Sequence, residues 1–596
     1  MKSQYFVTIC RQLIINPKAT QRELASCCGV SLGIVNAAVN ECKAEGYLES
    51  TNARELILTE KGHAELEQYR VRNAIILAAG FGARCVPMTY ETPKGLLNVF
   101  GKPAVERQIE QLLDKGITDI IVVVGYLKEK FDYLIDKYGV KLVYNPEYAT
   151  KNNLASLWLV REKLANTYVC VSDNYIKENI FNEEESVSWF SCPFIEGKTN
   201  EWIVTKKTKS GIIREITIGS DSGGYAIQGP VFFSVEFSER FKYYLEKYYN
   251  SAGSENYYFE HILKDEIRNL PPLYIKDTTG ILYEFEDFDE LRKLDPAYNK
   301  ASDNEIIKQI TEIFNVPIEK IHNIYSIKAG VTNMSFHFAV DDNKYVFRVP
   351  GVGTDKLIDR KNEKLVYDAI GKLKITDEIV SFDAKSGYKI THFIEDARNS
   401  DPFNDEELDV CMKLIRPIHE SGVTVPNSFS IDSKIDYYLS LAEEMCAVNF
   451  SDINKTKEKV QELLEIRRNF AIPEVLCHGD YAHINVLMLP NGTGRLIDFE
   501  YSGMADPLMD IAMYAIFAEF DKERIDLSLR MYLGREPDKN ELIRCYMYVA
   551  LGGFLWCMWS QYKQALGQEF GEYPLTMYRY MKDYYNLVMA LTEQTK

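Results

Sequence analysis

The segment LAAGFGARCVPMTYETPKG, residues 77–95, constrains the fold of this chain more than any other stretch. It begins inside the apolar run NAIILAAG, and apolar runs then alternate with helical patterns through DIIVVVGY, KLVYN and TYVCVSDNY. Strands that alternate with helices predict a parallel sheet that is buried on both faces. The sequence therefore predicts an α/β domain over residues 72–298.

The glycines of this segment predict a loop that binds phosphate groups. Gly80 and Gly82 carry no side chain, so backbone N–H groups can contact a triphosphate there. The loop lacks the third glycine of a dinucleotide fingerprint and does not match G-x-x-x-x-G-K-[ST]. Arg84 and Lys94 add cations, which stabilise the charge that develops on the α-phosphate as pyrophosphate leaves. With Ala79, these residues form the expected nucleotide site.

The pattern G-x-G-x-R-x-x-P-x-T-x-x-x-P-K is present in full and resembles the sugar-phosphate nucleotidyltransferase superfamily. PMTYETPKGL, GYLKEKFDYL, NNLASLWLV, SDNY and NEW resemble its bacterial phosphocholine cytidylyltransferase branch over about residues 73–295. The resemblance implies a Rossmann-like nucleotidyltransferase in which Asp173 holds Mg²⁺. It also implies a second acidic ligand, expected at Glu260. The family tends to have aspartate there, so Glu255 and Asn256 are rivals.

The segment CHGDYAHINVLMLPNGTGRLIDFEYSG, residues 477–503, spaces three polar residues as phosphoryl transfer requires. Asp480 stands five residues before Asn485 and eighteen before Asp498. We expect Asp480 to accept the proton of a substrate hydroxyl, and Asn485 and Asp498 to bind Mg²⁺ against the phosphates of ATP. H-x-D-x-x-x-x-N followed by a strand that ends I-D-F is typical of kinases.

The segment before this motif predicts the other lobe of a kinase. AGVTNMSF, residues 329–336, is expected to be a turn that covers the phosphates through Thr332 and Asn333. Arg348 in YVFRVPG and Glu363 in RKNEKLVYDAI are expected to pair as the strand lysine and helix glutamate of protein kinases do.

An arginine at that strand position resembles choline kinases, which share the AGVTN-like loop, the VFRVPG-like strand and the IDFEY segment over about residues 303–590. The resemblance implies an α+β protein-kinase-like fold and substrate binding by Glu500 in IDFEY. Aminoglycoside phosphotransferases share the fold and the H-x-D motif, so they are the alternative.

Aromatic residues are the candidates for recognising the substrate, because a trimethylammonium group donates no hydrogen bonds and is attracted to aromatic faces. Trp556 and Trp559 are three residues apart, on one face of a predicted helix, and resemble the choline kinase aromatic pocket. Tyr573 and Tyr578 are further candidates. In the middle domain, Trp202 in NEW is expected to stack on the same kind of group. Packing into the core is the alternative for the three tryptophans.

Residues 1–70 show helical patterns separated by a turn, followed by the strand-like ELILTEKG. They resemble a winged helix-turn-helix, in which Thr20 caps the second helix, Gly29 makes the turn and Ser31 opens the helix that would enter a DNA groove. The segment balances acids against bases, whereas DNA binding draws on a positive field. DNA binding, dimerisation and regulation therefore all stay open.

Length and charge limit the remaining choices. A chain of 596 residues is too long for one core, and DPAYNKASDNE is expected to separate the middle domain from a third, over residues 303–596. The net charge of -18 disfavours a general affinity for nucleic acid or anionic membranes. Scattered cysteines and the absence of a signal-peptide pattern predict a cytoplasmic protein. The apolar run around residues 548–559 is too short to span a bilayer and predicts a buried helix.

The two resemblances together imply a bifunctional, multidomain enzyme with Mg²⁺ as its cofactor. A choline kinase would make phosphocholine from choline and ATP, and a phosphocholine cytidylyltransferase would make CDP-choline from CTP. One alternative is a sugar-1-phosphate nucleotidyltransferase fused to an aminoglycoside-like, ethanolamine or other small-molecule kinase. Another is a transcriptional regulator that senses ligands through enzyme-like domains. The oligomeric state stays open, with a homo-oligomer among the options.

Overall fold

The computed structural model describes residues 5–51, 55–299, 304–327, 333–351, 354, 358–566 and 570–593. Thr332, predicted to bind nucleotide, lies outside these residues, as does the AGVT part of the predicted loop. The chain divides into two compact units, Met1–Ser326 and Ile327–Lys596. The division falls inside the strand Ile321–Ile327.

The first unit begins with a small helical segment and a β-hairpin. Its helices are Phe6–Ile15, Gln21–Cys28, Leu32–Ala44 and Glu60–Leu66, and its hairpin strands are Leu48–Ser50 and Leu56–Leu58. Thr20 caps the second helix by accepting from the amide of Glu23, and Gly29 ends it at a φ of 62°. Side chains such as Ile9 and Val39 are fully buried here, so the segment has a core of its own.

Hydrogen bonds hold this N-terminal segment against the domain that follows. The side chain of Asn166 donates to the carbonyl groups of Gln68 and Arg70, at 2.9 and 3.1 Å. Arg11 Nε lies 3.3 Å from a carboxylate oxygen of Glu184. The segment is therefore fixed to the sheet domain by several contacts.

A seven-stranded sheet forms the centre of the first unit. Its strands, in spatial order, are Leu273–Asp277, Ser188–Cys192, Val231–Phe233, Thr167–Val171, Asn73–Ala78, Ile120–Val124 and Lys141–Tyr144. Ile75 and Leu77 enter one apolar core while Ala74 and Ile76 enter another, so the central strand is buried on both faces. The four strands that the sequence predicts are parallel, as expected: Asn73–Ala78, Ile120–Val124, Lys141–Tyr144 and Thr167–Val171. The strand Val231–Phe233, in the region without a predicted strand order, is antiparallel to both neighbours. That strand follows the irregular region, where no helical crossover fixes its direction.

Helices and antiparallel ribbons complete the first unit. The helices are Met88–Glu91, Ala104–Asp114, Tyr133–Tyr138, Asn153–Leu159, Val235–Tyr249, Phe259–Glu266, Phe288–Leu294 and Glu305–Phe314. The ribbons are Thr199–Lys207 with Ile213–Ser220, Asn174–Ile176 with Leu282–Glu284, Phe194–Glu196 with Gly223–Tyr225, and Asn98–Val99 with Lys102–Pro103.

The second unit starts with an antiparallel sheet and one helix. The strands Asn333–Val340, Asn343–Pro350, Lys389–His392 and Ile379–Phe382 are neighbours in that order, and the helix is Arg360–Ile370. Short strands follow, at Arg398–Asn399, Val475–Cys477, Val486–Met488, Gly494–Leu496 and Gly503–Ala505. These short strands hold the segment 477–503, which carries the kinase-like motif.

The rest of the second unit is helical. Its helices are Asp405–Leu414, Arg416–His419, Ile431–Glu444, Ile453–Arg468, Pro507–Phe517, Lys522–Leu533, Lys539–Ala565 and Tyr573–Glu593. Lys539–Ala565 has the length and apolar composition of a membrane-crossing helix, but 89% of its most apolar window is buried inside the fold. We therefore interpret it as a core helix, as the sequence predicts.

Candidate active sites

The glycine loop at the carboxyl end of the strand Asn73–Ala78 keeps its backbone open. Gly82 has a φ of 69°, and a Cβ built there would lie 3.1 Å from side-chain atoms of Thr89 and Lys94. Glycine is therefore required at this position. Among the described residues, no atom lies within 4 Å of a Cβ built on Gly80, so a ligand can approach the backbone there.

Lys94 and Asp173 form a nearly buried ion pair beside this loop. Lys94 Nζ lies 2.5 Å from Asp173 Oδ2, and the two side chains are 14% and 12% exposed. Burial, the largest single cause, acts to lower the pKa of Lys94, but the charge and hydrogen bond of Asp173 together with the charges of Cys85 and Glu284 outweigh it and raise the pKa overall. Within the described residues, the buried Oδ1 of Asp173 has no hydrogen-bond partner. A carboxylate oxygen left in this state fits a divalent cation.

Glu284 is an acidic residue close to Asp173, and the sequence did not predict it as a site residue. The strand Leu282–Glu284 pairs with Asn174–Ile176, so Glu284 lies opposite Asn174. Burial, and then the charge of Asp173, raise the pKa of Glu284 to about 8. A buried carboxylate whose pKa is raised by a neighbouring carboxylate is stabilised in its charged form by a bound cation. The acidic run YEFED was the available signal, but only the strand pairing shows which carboxylate reaches Asp173.

Glu260, predicted as the second metal ligand, has different surroundings. Its Oε2 accepts a hydrogen bond from Asn153 Nδ2 at 3.3 Å. Burial raises the pKa of Glu260 to about 7. The rivals Glu255 and Asn256 are exposed in the turn that precedes its helix. The role predicted for Glu260 therefore stays a prediction, and Glu284 becomes a competitor for it.

Arg84 and Ala79 lie at the two sides of the loop. The Arg84 guanidinium, with a side chain 62% exposed, forms an ion pair with Glu286. A triphosphate that binds Arg84 would therefore replace a carboxylate partner. Ala79 is buried, and its carbonyl oxygen accepts from the backbone amide of Tyr126 at 3.0 Å, which anchors the start of the loop.

Trp202 belongs to an aromatic group that the sequence did not predict as a unit. Its ring centroid lies 4.7 Å from that of His261, at an angle of 77°. Tyr257 lies 5.2 Å from the same histidine. Burial lowers the pKa of His261, which disfavours a positive charge on its ring. The faces of Trp202 and Tyr257 are of the kind that attracts an ammonium group.

In the second unit, Asp480 and Asn485 are in contact, as their spacing predicts. Asn485 Nδ2 donates to the carbonyl oxygen of Asp480 at 3.0 Å and to its carboxylate at 3.2 Å. The amide oxygen of Asn485, the atom that can bind a metal ion, is not used in these bonds. Burial, and then the charges of Asp498 and Glu500, raise the pKa of Asp480. A group of close carboxylates with an amide oxygen is a donor set that fits Mg²⁺.

Arg348 pairs with Glu363, as the sequence predicts, and also reaches Asp498. Arg348 Nη2 lies 2.9 Å from Glu363 Oε2, and a second bond joins Nη1 to Oε1. Arg348 Nη1 also lies 3.3 Å from Asp498 Oδ1. Asp498 has a φ of 69°, which is uncommon for a residue with a side chain and is found at functional sites. The helix glutamate is thus connected through Arg348 to a predicted metal ligand.

Asp510 holds the backbone of the segment that carries Asp480, a contact that the sequence did not reveal. Its carboxylate accepts from the amides of His478 and Gly479, at 2.7 and 2.9 Å, and contacts His419 Nε2 at 3.0 Å. Two backbone bonds immediately before Asp480 fix the direction of that segment. Asp510 follows Asp498 by twelve residues and carries no pattern of its own, so only the structure identifies it.

Aromatic side chains form a cluster around Trp556. The rings of Trp556 and Trp559 are 5.6 Å apart, and Tyr501 lies 6.0 Å from Trp556. Burial, and then the charge of Asp480, raise the pKa of Tyr573, which places this phenol near the carboxylate. The predicted aromatic residues are therefore brought together.

Two further candidates have other partners. The ring of Tyr578 stacks on Phe450 at 3.8 Å, and its hydroxyl bonds to Asp452 at 2.9 Å. Glu500 is buried, and its Oε2 accepts from Asn333 at 2.8 Å and from Arg360 at 3.0 Å. Neither contact resembles a free receptor for a substrate cation.

The region that contains the first of these two sites is similar to known proteins. The Nucleotidyl transferase family model matches residues 73–186. A choline-phosphate cytidylyltransferase of Streptococcus pneumoniae is 42% identical over 223 residues, which cover 37% of this chain and 96% of that protein. The chain belongs to the nucleotidyl transferase family. This nucleotidyl transferase is also 34% identical over 230 residues to a 2-aminoethylphosphonate cytidylyltransferase of Lancefieldella rimae, with 38% of this chain and 93% of that protein covered.

The same chain contains a second enzyme domain. The Choline/ethanolamine kinase family model matches residues 324–547. The chain is 28% identical over 266 residues to Protein LicA of Haemophilus influenzae, with 43% of this chain and 78% of that protein covered. The chain therefore contains a kinase and a nucleotidyltransferase. Both families generally use divalent metal ions.

Proposed function

We propose that the chain is a bifunctional choline kinase and choline-phosphate cytidylyltransferase. The kinase domain transfers the γ-phosphoryl group of ATP to choline, and the nucleotidyltransferase domain joins phosphocholine to CTP. The observation that carries this proposal is the agreement between two independent matches, one to a choline-phosphate cytidylyltransferase over 96% of its length and one to the choline/ethanolamine kinase family. The product of the first reaction is the substrate of the second.

In the kinase domain, Asp480 accepts the proton of the choline hydroxyl as its oxygen bonds to the γ-phosphorus and ADP leaves. Asn485 and Asp498 would hold Mg²⁺, which neutralises charge on the ATP phosphates when bound. Tyr501, Trp556 and Trp559 supply aromatic faces for the trimethylammonium group.

In the nucleotidyltransferase domain, a phosphate oxygen of phosphocholine attacks the α-phosphorus of CTP, and the bond to pyrophosphate breaks. Lys94 and Arg84 stabilise the negative charge on the transferred and leaving phosphates. Asp173 would hold Mg²⁺, with Glu284 as the neighbouring carboxylate. The rings of Trp202 and Tyr257 are the proposed receptor for the choline end.

Two single variants test this assignment. The chain is incubated with choline, ATP, CTP and Mg²⁺, and phosphocholine and CDP-choline are measured by mass spectrometry. Asp480→Ala should stop the formation of phosphocholine and still make CDP-choline from added phosphocholine. Lys94→Ala should accumulate phosphocholine without CDP-choline. Ethanolamine and 2-aminoethylphosphonate serve as competing substrates, and a preference for either over choline and phosphocholine would overturn the choice of substrate.

We further propose that residues 1–70 are a winged helix, followed by functional domains at 72–298 and 303–596. The helix Leu32–Ala44 exposes Leu32 and Ile34, at 40% and 45%, which supports contact with a protein, including a second copy, over contact with DNA. Sedimentation of the full chain and of its Ile34→Glu variant tests contact with a second copy, and a gel shift with DNA tests DNA binding. A cytoplasmic location without membrane insertion is part of the same proposal.

A further inference from the structure

The carboxylate of Glu500 belongs to a closed triangle of buried side chains. Its Oε2 accepts from Asn333 Nδ2 at 2.8 Å and from Arg360 Nη1 at 3.0 Å. The third side is a bond from Arg360 Nη2 to Asn333 Oδ1 at 3.2 Å. The side chains of Arg360 and Glu500 are 7% and 1% exposed, so water screens their attraction little.

The triangle joins three separate elements of the kinase domain. Asn333 begins the strand Asn333–Val340, Arg360 begins the helix Arg360–Ile370, and Glu500 lies two residues after Asp498. Each corner is therefore far from the others along the chain. A bond network among them fixes the start of the sheet and the helix relative to the segment that carries a proposed metal ligand.

The triangle also connects to the arginine–glutamate pair of the kinase. Arg360 Nη1 lies 3.0 Å from Glu363 Oε2, one helical turn further along. Glu363 in turn pairs with Arg348, and Arg348 reaches Asp498 at 3.3 Å. Arg360 thus uses one guanidinium to hold both Glu363 and Glu500. A lysine could not hold Asn333 and both carboxylates with the same fixed geometry.

We propose that Glu500 is a positioning residue of the ATP site, held by Arg360 and Asn333, and not a receptor for the choline cation. This inference rests on the proposed kinase function and changes the role that the sequence gives to Glu500. Removing the charge of Glu500 leaves Arg360 with one carboxylate instead of two. The start of the sheet and the metal-binding segment then lose their common anchor, so ATP binding weakens while the aromatic receptor for choline is intact.

The experiment compares Glu500→Gln, Arg360→Lys and Lys364→Met in the full chain. Lys364 is the matched control, because it pairs with Asp368 on the exposed side of the same helix, where an ion pair contributes little. The affinity for ATP with Mg²⁺ is measured by calorimetry without choline, and KM is measured for ATP and for choline. Thermal unfolding of each variant reports whether the kinase domain is folded, and CDP-choline formation from added phosphocholine reports whether the nucleotidyltransferase domain is unchanged.

For Glu500→Gln we expect about a tenfold to hundredfold loss of ATP affinity, the size of effect for breaking one buried charged contact. Arg360→Lys should weaken ATP binding by a smaller factor. In Glu500→Gln and Arg360→Lys, KM for choline should change less than about twofold. Lys364→Met should change neither the ATP affinity nor KM for choline. A rise in KM for choline at unchanged ATP affinity would overturn the inference. So would an unchanged ATP affinity with both KM values unchanged. A wild-type chain that binds ATP but does not phosphorylate choline contradicts the proposed function alone, because the ATP titration still tests the triangle.

Discussion

Glu284 and Glu260 are rival candidates for the carboxylate that shares a metal ion with Asp173. The Asp173 charge contributes to the raised pKa of Glu284, whereas Glu260 bonds to Asn153. We expect Glu284→Gln to lower the rate of CDP-choline formation at least about a hundredfold, and Glu260→Gln less than about tenfold. The rate is measured against Mg²⁺ concentration. A larger loss for Glu260→Gln would return the ligand role to that residue.

Trp202 tests whether the aromatic group of the nucleotidyltransferase domain binds the choline end of phosphocholine. A cation over an aromatic face contributes about 1–2 kcal/mol when water is excluded, so Trp202→Leu should raise KM for phosphocholine about fivefold to thirtyfold. KM for CTP should stay the same. Trp158→Leu is the control, since that ring is already covered by Tyr249 and Arg161. An equal rise in both KM values would assign Trp202 to the core.

At the scale of elements, the kinase pocket depends on the close approach of the helices Lys539–Ala565 and Tyr573–Glu593. A Cβ built on Gly553 would lie 2.6 Å from the backbone oxygen of Met577 and 2.8 Å from Tyr580 Cβ. Gly553→Ala should therefore separate the helices, lower the free energy of unfolding by about 1–3 kcal/mol and raise KM for choline.

The neighbouring glycine supplies the control for that prediction. A Cβ built on Gly552 would lie 3.0 Å from Ile516 Cδ1 and 3.1 Å from Met513 Cε, which are the ends of flexible side chains. Gly552→Ala should cost less stability and leave KM for choline close to that of the wild type. Thermal unfolding and choline kinetics of the two variants check this. Equal effects at both positions would mean that the backbone contact does not set the pocket.

Across the whole molecule, the sequence predicts those features that local patterns encode. Asp480 and Asn485 are five residues apart, and Trp556 and Trp559 are three apart, so spacing alone predicts that each pair is close in space. Both family models match the stretches that carry the motifs. The local sequence motifs therefore predict both the kinase and the nucleotidyltransferase.

Contacts between distant segments could not be predicted in this way. Glu284 lies beside Asp173 because two short strands pair, and a three-residue strand has no periodicity that specifies its partner. The antiparallel strand Val231–Phe233 and the carboxylate of Asp510 escaped prediction for the same reason. The bonds of Glu500 to Asn333 and Arg360 also escaped prediction, because these partners are more than a hundred residues away in sequence.

The most direct test of the account follows labelled choline through the chain. The wild type, Asp480→Ala, Lys94→Ala and an equimolar mixture of the two variants are each incubated with labelled choline, ATP, CTP and Mg²⁺. We predict labelled CDP-choline from the wild type and from the mixture, in which free phosphocholine passes from one variant to the other, and none from either variant alone. Labelled CDP-choline from either variant alone, or its absence from the wild type, would contradict two successive reactions in this chain.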